Sequence, residues 1–189
     1  MIQNLYAKNY RAFPELDLDL SKINLIFGPN NSGKSSIIST FNLITQTLLS
    51  SDQNVSLLLA GSKEDFGTYS DIVYEHNVQN DITLKFTCKF SMDKIRFGRR
   101  RVTLSENLEG SVELQYGYMP KRHEIVLKKV TYSHQELNYV AIFEKSKTSK
   151  AFYLTYLKTA DKEYKNIRKK VENTTHFFPE YRAYEFNLR

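Results

Sequence analysis

Ile23-Asn24-Leu25-Ile26-Phe27-Gly28-Pro29-Asn30-Asn31-Ser32-Gly33-Lys34-Ser35-Ser36 is the stretch from which the rest of the chain is best understood. Ile23–Phe27 is a short apolar run of β-formers, which suits a buried strand. Gly28–Ser35 satisfies the pattern G-x-x-x-x-G-K-[ST] at every required position. Beyond it, Ile37, Phe41, Ile44 and Leu48 recur at i, i+4, i+7 and i+11, the spacing of one helical face. Ile38 and Leu49 widen that stripe, while Thr40, Asn42, Thr45 and Gln46 fall mostly on the other side. The order is strand, glycine-rich loop, amphipathic helix.

Each residue type in the loop answers a need of polyphosphate binding. A triphosphate is a dense anion and needs several donors at close range. Gly28 and Gly33 let the backbone curl so that the amides of the loop, Asn30, Asn31 and Ser32 included, point inward as a nest. The following helix adds its positive N-terminal end. Lys34 supplies a cation for the β- and γ-phosphates, and the Ser35 hydroxyl is an oxygen ligand for Mg²⁺, which keeps several of its waters. Ser36 is placed to hydrogen-bond the α-phosphate. The expected cofactors are ATP, or GTP, with Mg²⁺. The loop is a binding site; no residue is assigned a catalytic role.

On the N-terminal side, Ile2 to Tyr10 reads as a strand. Leu16, Leu18 and Leu20 alternate with Glu15, Asp17 and Asp19 as a half-exposed second strand, and Pro14 between the two predicts a hairpin. On the C-terminal side, Val55–Ala60 stops at Gly61 and predicts one or two helical turns. From Asp81 the period is two, giving strands at Ile82–Phe90, Arg101–Ser105, Val112–Tyr118, Glu124–Tyr132, Leu137–Glu144 and Ala151–Leu157. Turn residues at Asn107–Gly110, Pro120–Arg122 and Ser146–Ser149 separate them, as in an antiparallel meander. Asp161–Val171 reads as a charged helix, followed by an aromatic, irregular tail. The expected fold class is α/β plus antiparallel β in one compact unit. Residues 1–80 form the nucleotide core, 81–158 the meander, and 159–189 the helix and tail.

Composition narrows the alternatives. The 189 residues suffice for one domain with a real core. Tyr 13 and Phe 12 suit a β-rich fold. The single cysteine, Cys88, excludes an intrachain disulfide and a thiolate zinc site, and a reducing cytoplasm is its simplest home. Its place in the run Ile82, Leu84, Phe86, Cys88, Phe90 makes it a core residue. His76, His123, His134 and His176 lack metal-ligand spacing. No apolar run reaches the ~20 residues that cross a bilayer, and the start lacks a signal-peptide pattern, so no membrane partner is expected.

The formal charge is +6. Basic residues cluster at Lys94, Arg96, Arg99, Arg100 and Arg101, and at Lys121, Arg122, Lys128 and Lys129; nine more lie between Lys145 and Lys170. Such clusters either attract a nucleic-acid backbone or protect strand edges by charge. No zinc finger or helix-turn-helix pattern accompanies them.

With these residues in hand, the chain resembles the N-terminal lobe of ABC-type ATPase heads, a class of P-loop NTPase, and among them the SMC, RecF and OLD-like ATPases. The likeness rests on a strand ending in Asn9-Tyr10-Arg11-Ala12-Phe13, the acidic-leucine strand, and the loop with its flanks. The stretch Leu57–Gly61 through Phe66-Gly67-Thr68-Tyr69-Ser70-Asp71-Ile72-Val73, with His76 after it, is similar to a subgroup of bacterial AAA/ABC-like proteins, many of which serve in anti-phage defence. The resemblance implies that Arg11 lies near the nucleotide. Asp71 either orders its loop by capping or makes a purely structural Asx turn. It also implies an ATP-dependent dimer with a second head and an effector such as a nuclease. A DNA-repair or chromosome-maintenance head that clamps DNA, or a non-catalytic interaction module, are the alternatives.

The chain departs from that class in two respects. A Leu-Ser-Gly-Gly-like signature is missing, since Leu104-Ser105-Glu106 lacks the glycines, and no apolar strand ends in Asp-Glu. Both elements lie C-terminal in such heads. The expectation is therefore an N-terminal portion of a longer protein, or a lobe completed by another polypeptide, with hydrolysis dependent on the missing half.

Overall fold

The computed structural model describes residues 1–52, 55–90, 95–97, 100–102, 108–146 and 151–171. Its frame is one eight-stranded antiparallel sheet. Strand β1 (Ile2–Tyr10) and strand β2 (Phe13–Asp19) form the N-terminal hairpin, joined by the tight turn Arg11-Ala12. Strand β3 (Ile82–Phe90) pairs with the other side of β1. The short pair β4 (Ile95–Phe97) and β5 (Arg100–Val102) follows as a separate two-stranded sheet. Then β6 (Leu108–Met119), β7 (Glu124–His134), β8 (Tyr139–Lys145), β9 (Phe152–Lys158) and β10 (Glu163–Lys170) run as a meander from β3. The spatial order is β10-β9-β8-β7-β6-β3-β1-β2.

Period-two alternation places Leu5, Ala7, Ile82, Leu84, Phe86, Leu114, Val130, Ala141, Phe143 and Leu154 in one core. Cys88 continues the β3 run as a half-buried free thiol, its pKa raised chiefly by burial. Near the end of β1 the alternation breaks. Asn9 adopts a left-handed φ of 54° and donates through Nδ2 to the Asp81 carbonyl. That kink turns Tyr10, three residues after Ala7, back into the core, where it is fully buried.

Helix α1 (Lys34–Leu48) packs on this core, with Phe41 and Phe86 ring centroids 5.9 Å apart. Ile37, Phe41 and Ile44 of the expected stripe pack against the core, but the most deeply buried side is turned toward the polar residues. Ser39, Thr40, Leu43, Gln46 and Thr47 are buried, whereas Ile38, Leu48 and Leu49 are exposed. The polar residues go inward because each has a partner there. Thr40 Oγ1 donates to the Ser36 carbonyl, Thr47 Oγ1 to the Leu43 carbonyl, and Gln46 Nε2 to the Leu58 and Leu59 carbonyls. Those last bonds hold residues 57–66 as an irregular strap against α1. The helical turns expected at Val55–Ala60 do not form, because the strap's carbonyls bond to Gln46 rather than to one another.

Helix α2 (Tyr69–Ile72) is a single turn. Asp71 orders its start by capping: Oδ2 accepts from the backbone N–H and the hydroxyl of Thr68, and the Thr68 amide leads in lowering its pKa. A 3₁₀ turn at Pro120–Arg122 makes the expected break before β7.

Two further expectations fail. Asp161–Val171 is not a helix; it supplies β10, whose Tyr164 and Ile167 pack on the core while its charges face outward. Charge on an edge strand protects it as well as charge on a helix face would. Ile23–Phe27 is not a buried strand either. It is unpaired, with Ile23 83%, Leu25 77% and Phe27 83% exposed. The sheet ends at β2, and the run does not add to its open edge. The basic residues Lys94 and Arg99, the Leu104-Ser105-Glu106 stretch, His176 and the aromatic tail lie outside the described residues.

Candidate functional site

The loop at 28–35 is curled, not extended. The Ser32 amide donates to the Pro29 carbonyl at 3.4 Å, and the Ile37 amide to the Gly33 carbonyl at 3.3 Å, which starts the helix. Asn31 takes a left-handed φ of 65°, a region asparagine tolerates. Gly33, at φ 87°, stands at the N-cap of α1 and has no room for a side chain: a Cβ there would lie 2.6 Å from Phe13 Cζ and 3.2 Å from Ala12 Cβ. So the β1–β2 turn lies directly against the mouth of the helix.

Gly28, Asn30, Asn31, Ser32 and Ser35 are exposed, and Gly33, Lys34 and Ser36 are half-buried, so solvent reaches the loop along its length. Lys34 folds back across it. Its Nζ donates to the Gly28 carbonyl at 2.7 Å and to the Pro29 carbonyl. The ammonium thus sits over the mouth of the loop, held by weakly basic carbonyls that an anion can outcompete. No cation from α1 opposes it, and the helix's first turn carries no acidic side chain to repel an anion. The arrangement can gather amides, one ammonium and the hydroxyls of Ser35 and Ser36 around a polyphosphate. Ser35, exposed at the start of α1, carries a hydroxyl that would serve Mg²⁺, with phosphates and water supplying the other ligands. Among the described residues no group of three His, Cys, Asp or Glu could hold a metal alone.

Arg11 is brought to the edge of this site, but its head group points to a partner that sequence reasoning missed. Its backbone φ is 46°, and its amide donates to the Ile72 carbonyl at 2.8 Å. The guanidinium lies 5.0 Å from the Phe66 ring centroid and donates through Nη1 to Glu64 Oε1 at 3.3 Å. Glu64 also accepts from Ser39 Oγ at 2.7 and 3.0 Å, and from Asn42 Nδ2 at 3.2 Å. Burial alone would raise the Glu64 pKa, but the Ser39 and Asn42 hydrogen bonds and the Arg11 charge outweigh it, and the net shift is downward. Nothing in the run Lys63-Glu64-Asp65 distinguishes this carboxylate from solvated neighbours; only the fold brings Ser39, Asn42 and Arg11 to it.

A Methanocaldococcus jannaschii protein, MJECL10, itself uncharacterized, is 33% identical over 95 residues, which is 46% of this chain and 42% of that protein. The match thus spans less than half the length of this relative. Among the described residues no helix is long and apolar enough to cross a membrane. The family described as AAA ATPase domain matches residues 1–187, almost the whole chain, and the chain belongs to it.

Proposed function

We propose that this chain is the phosphate-binding lobe of an ATP-dependent switch. The observation that carries the reading is the curled, open loop at 28–35, set on the N-terminus of α1 with the Lys34 ammonium across its mouth. Its residues would hold ATP with Mg²⁺: the amides of 30–34 and Lys34 on the phosphates, Ser35 on the metal, Ser36 beside the α-phosphate. Bound nucleotide would supply the phosphoryl chemistry. This chain's own residues bind and orient it, and none among those described is placed to activate water.

A second layer completes the lobe in this reading. α1 is apolar on both sides, with Leu43 in the core and Ile38 and Leu49, three turns apart on one face, exposed. The unpaired run Ile23–Phe27 is exposed in the same way. An extended apolar run and a helix with such open apolar surface fit beneath further strands, supplied C-terminally or by a partner, which would carry the missing signature and Asp-Glu elements. Nucleotide would then close two heads, and an effector such as a nuclease would sense closure. The likeness of Leu57–Val73 to defence ATPases supports an anti-phage role. Sedimentation velocity of the full protein tests the switch: the reading expects a larger species with Mg-ATP than without, and an unchanged profile contradicts it.

The second reading is a head that clamps DNA. Lys165, Arg168, Lys169 and Lys170 lie on the edge strand β10 beside Tyr153 and Tyr156, with Lys162 just before it, an arrangement of cations and rings that suits a nucleic-acid backbone and bases. Loss of DNA retention on raising salt, with a slope reduced by Lys165→Ala and Arg168→Ala, would favour it.

A further inference from the structure

Glu64 lies outside every motif of the chain, yet it is the point where three separated segments meet. Its carboxylate binds Ser39 and Asn42 of α1 on one side and Arg11 of the β1–β2 turn on the other. Its backbone is fixed as well. The Glu64 amide donates to Gln46 Oε1, and its carbonyl accepts from the Gly61 amide. Ser39 is buried, and the Arg11 and Glu64 side chains are 23% and 27% exposed, so these bonds are partly shielded from water.

The turn that Glu64 holds is the one that packs on Gly33. Ala12 and Phe13, next to Arg11, fill the space beside Gly33. The turn is therefore pinned to α1 at two places, at the helix mouth by packing and farther along the helix by the Glu64 carboxylate. Arginine is also a costly residue at φ 46°, where glycine or asparagine would sit without strain. That conformation is kept for a side chain whose head group bonds Glu64. A loop that must aim several amides at one anion gains affinity when its frame is fixed before binding.

We propose that Glu64 is a positioning residue for the phosphate loop: through Arg11, Ser39 and Asn42 it clamps the β1–β2 turn and α1 together, so that Gly33 and Lys34 are held in their binding geometry. The proposal rests on nucleotide binding at this loop. A neutral amide fills the role less well. Glutamine removes the charge that pairs with the Arg11 guanidinium and leaves one acceptor oxygen where the carboxylate has two.

The test uses the full chain, with Mg-ATP affinity measured by calorimetry well below the melting temperature, and the Gly33 amide followed in a ¹⁵N–¹H correlation spectrum. Glu64→Gln is expected to weaken Mg-ATP binding roughly three- to tenfold and to shift the Gly33 amide in the free protein. Arg11→Met should do the same, and the double variant should be no weaker than the worse single one. Ser39→Ala, which leaves all charges in place, gives a smaller loss in the same direction and serves if Glu64→Gln does not fold. Wild-type affinity and an unmoved Gly33 amide in variants that merely melt earlier would overturn the proposal, as would tighter binding in Glu64→Gln. Lys34→Ala separates this from the underlying reading. If the wild type binds and Lys34→Ala does not, the site stands whatever Glu64 does; if the wild type fails to bind, the site assignment itself is wrong.

Discussion

Phe13 occupies the space that a side chain on Gly33 would need: a Cβ at 33 would lie 2.6 Å from Phe13 Cζ. The N-terminal hairpin and the phosphate loop, twenty residues apart in sequence, are fitted to one another at this contact.

Gly33→Ala is expected to be costly on two counts. The new methyl meets the Phe13 ring, and the φ of 87° belongs to the left-handed region that L side chains avoid. Together these predict a loss of about 2–4 kcal/mol in urea unfolding. The paired variant Gly33→Ala with Phe13→Leu should recover the crowding part and leave the backbone part. Equal stability of the wild type and Gly33→Ala would contradict the contact.

The buried side of α1 can be distinguished by a pair of substitutions. Leu43→Ala removes a fully buried side chain and should cost about 2–5 kcal/mol. Ile38→Ala, at 58% exposure, should stay within about 0.5 kcal/mol in the same unfolding experiment. The reverse order would mean that the helix faces the other way.

The exposed run Ile23–Phe27 predicts a separation of stability from association. Leu25→Ser with Phe27→Ser should leave unfolding within about 0.5 kcal/mol of the wild type, because both side chains already face solvent. Self-association and binding of a hydrophobic dye should fall. A large loss of stability would show that these residues are covered by the chain itself.

The Glu64 cluster predicts a pH dependence of defined sign. Its folded carboxyl titrates below the ordinary value of 4.5, held there by Ser39, Asn42 and Arg11 against the cost of burial. The stabilisation is therefore fully present above pH 4.5 and is lost as pH falls through the folded value. The nearby Tyr10 phenol, pushed up to about 12 by burial, stays neutral throughout and does not contribute. The unfolding free-energy difference between the wild type and Glu64→Gln should be flat from pH 6 to 8 and shrink in acid. A difference that grows in acid would reverse the assignment.

Much of the sheet was legible in the sequence because period-two patterning is local: Ile82, Leu84 and Phe86, or Leu5 and Ala7, announce their face within a few residues. The loop was legible because its chemistry demands particular residues at fixed spacing. What could not be read depends on partners distant in sequence. Gln46 and Thr47 look like a polar face until residues 57–66 cross them. Asp161–Val171 looks like a solvated helix until β9 offers Leu157 and Leu154 as pairing neighbours for Tyr164 and Lys169. Glu64 is one charge among several until the fold sets Arg11, Ser39 and Asn42 around it. Ile23–Phe27 carries a buried strand's composition, yet it is exposed and no described strand pairs with it.

The central claim is that the loop with Lys34 at its mouth takes a nucleotide's phosphates. Calorimetric titration of Mg-ATP into the full chain and into Lys34→Ala tests it most directly. The account predicts saturable binding by the wild type and a loss of roughly 10- to 100-fold on removing the ammonium, with little change in melting because Lys34 bonds to exposed loop carbonyls. Undiminished binding by Lys34→Ala would contradict it.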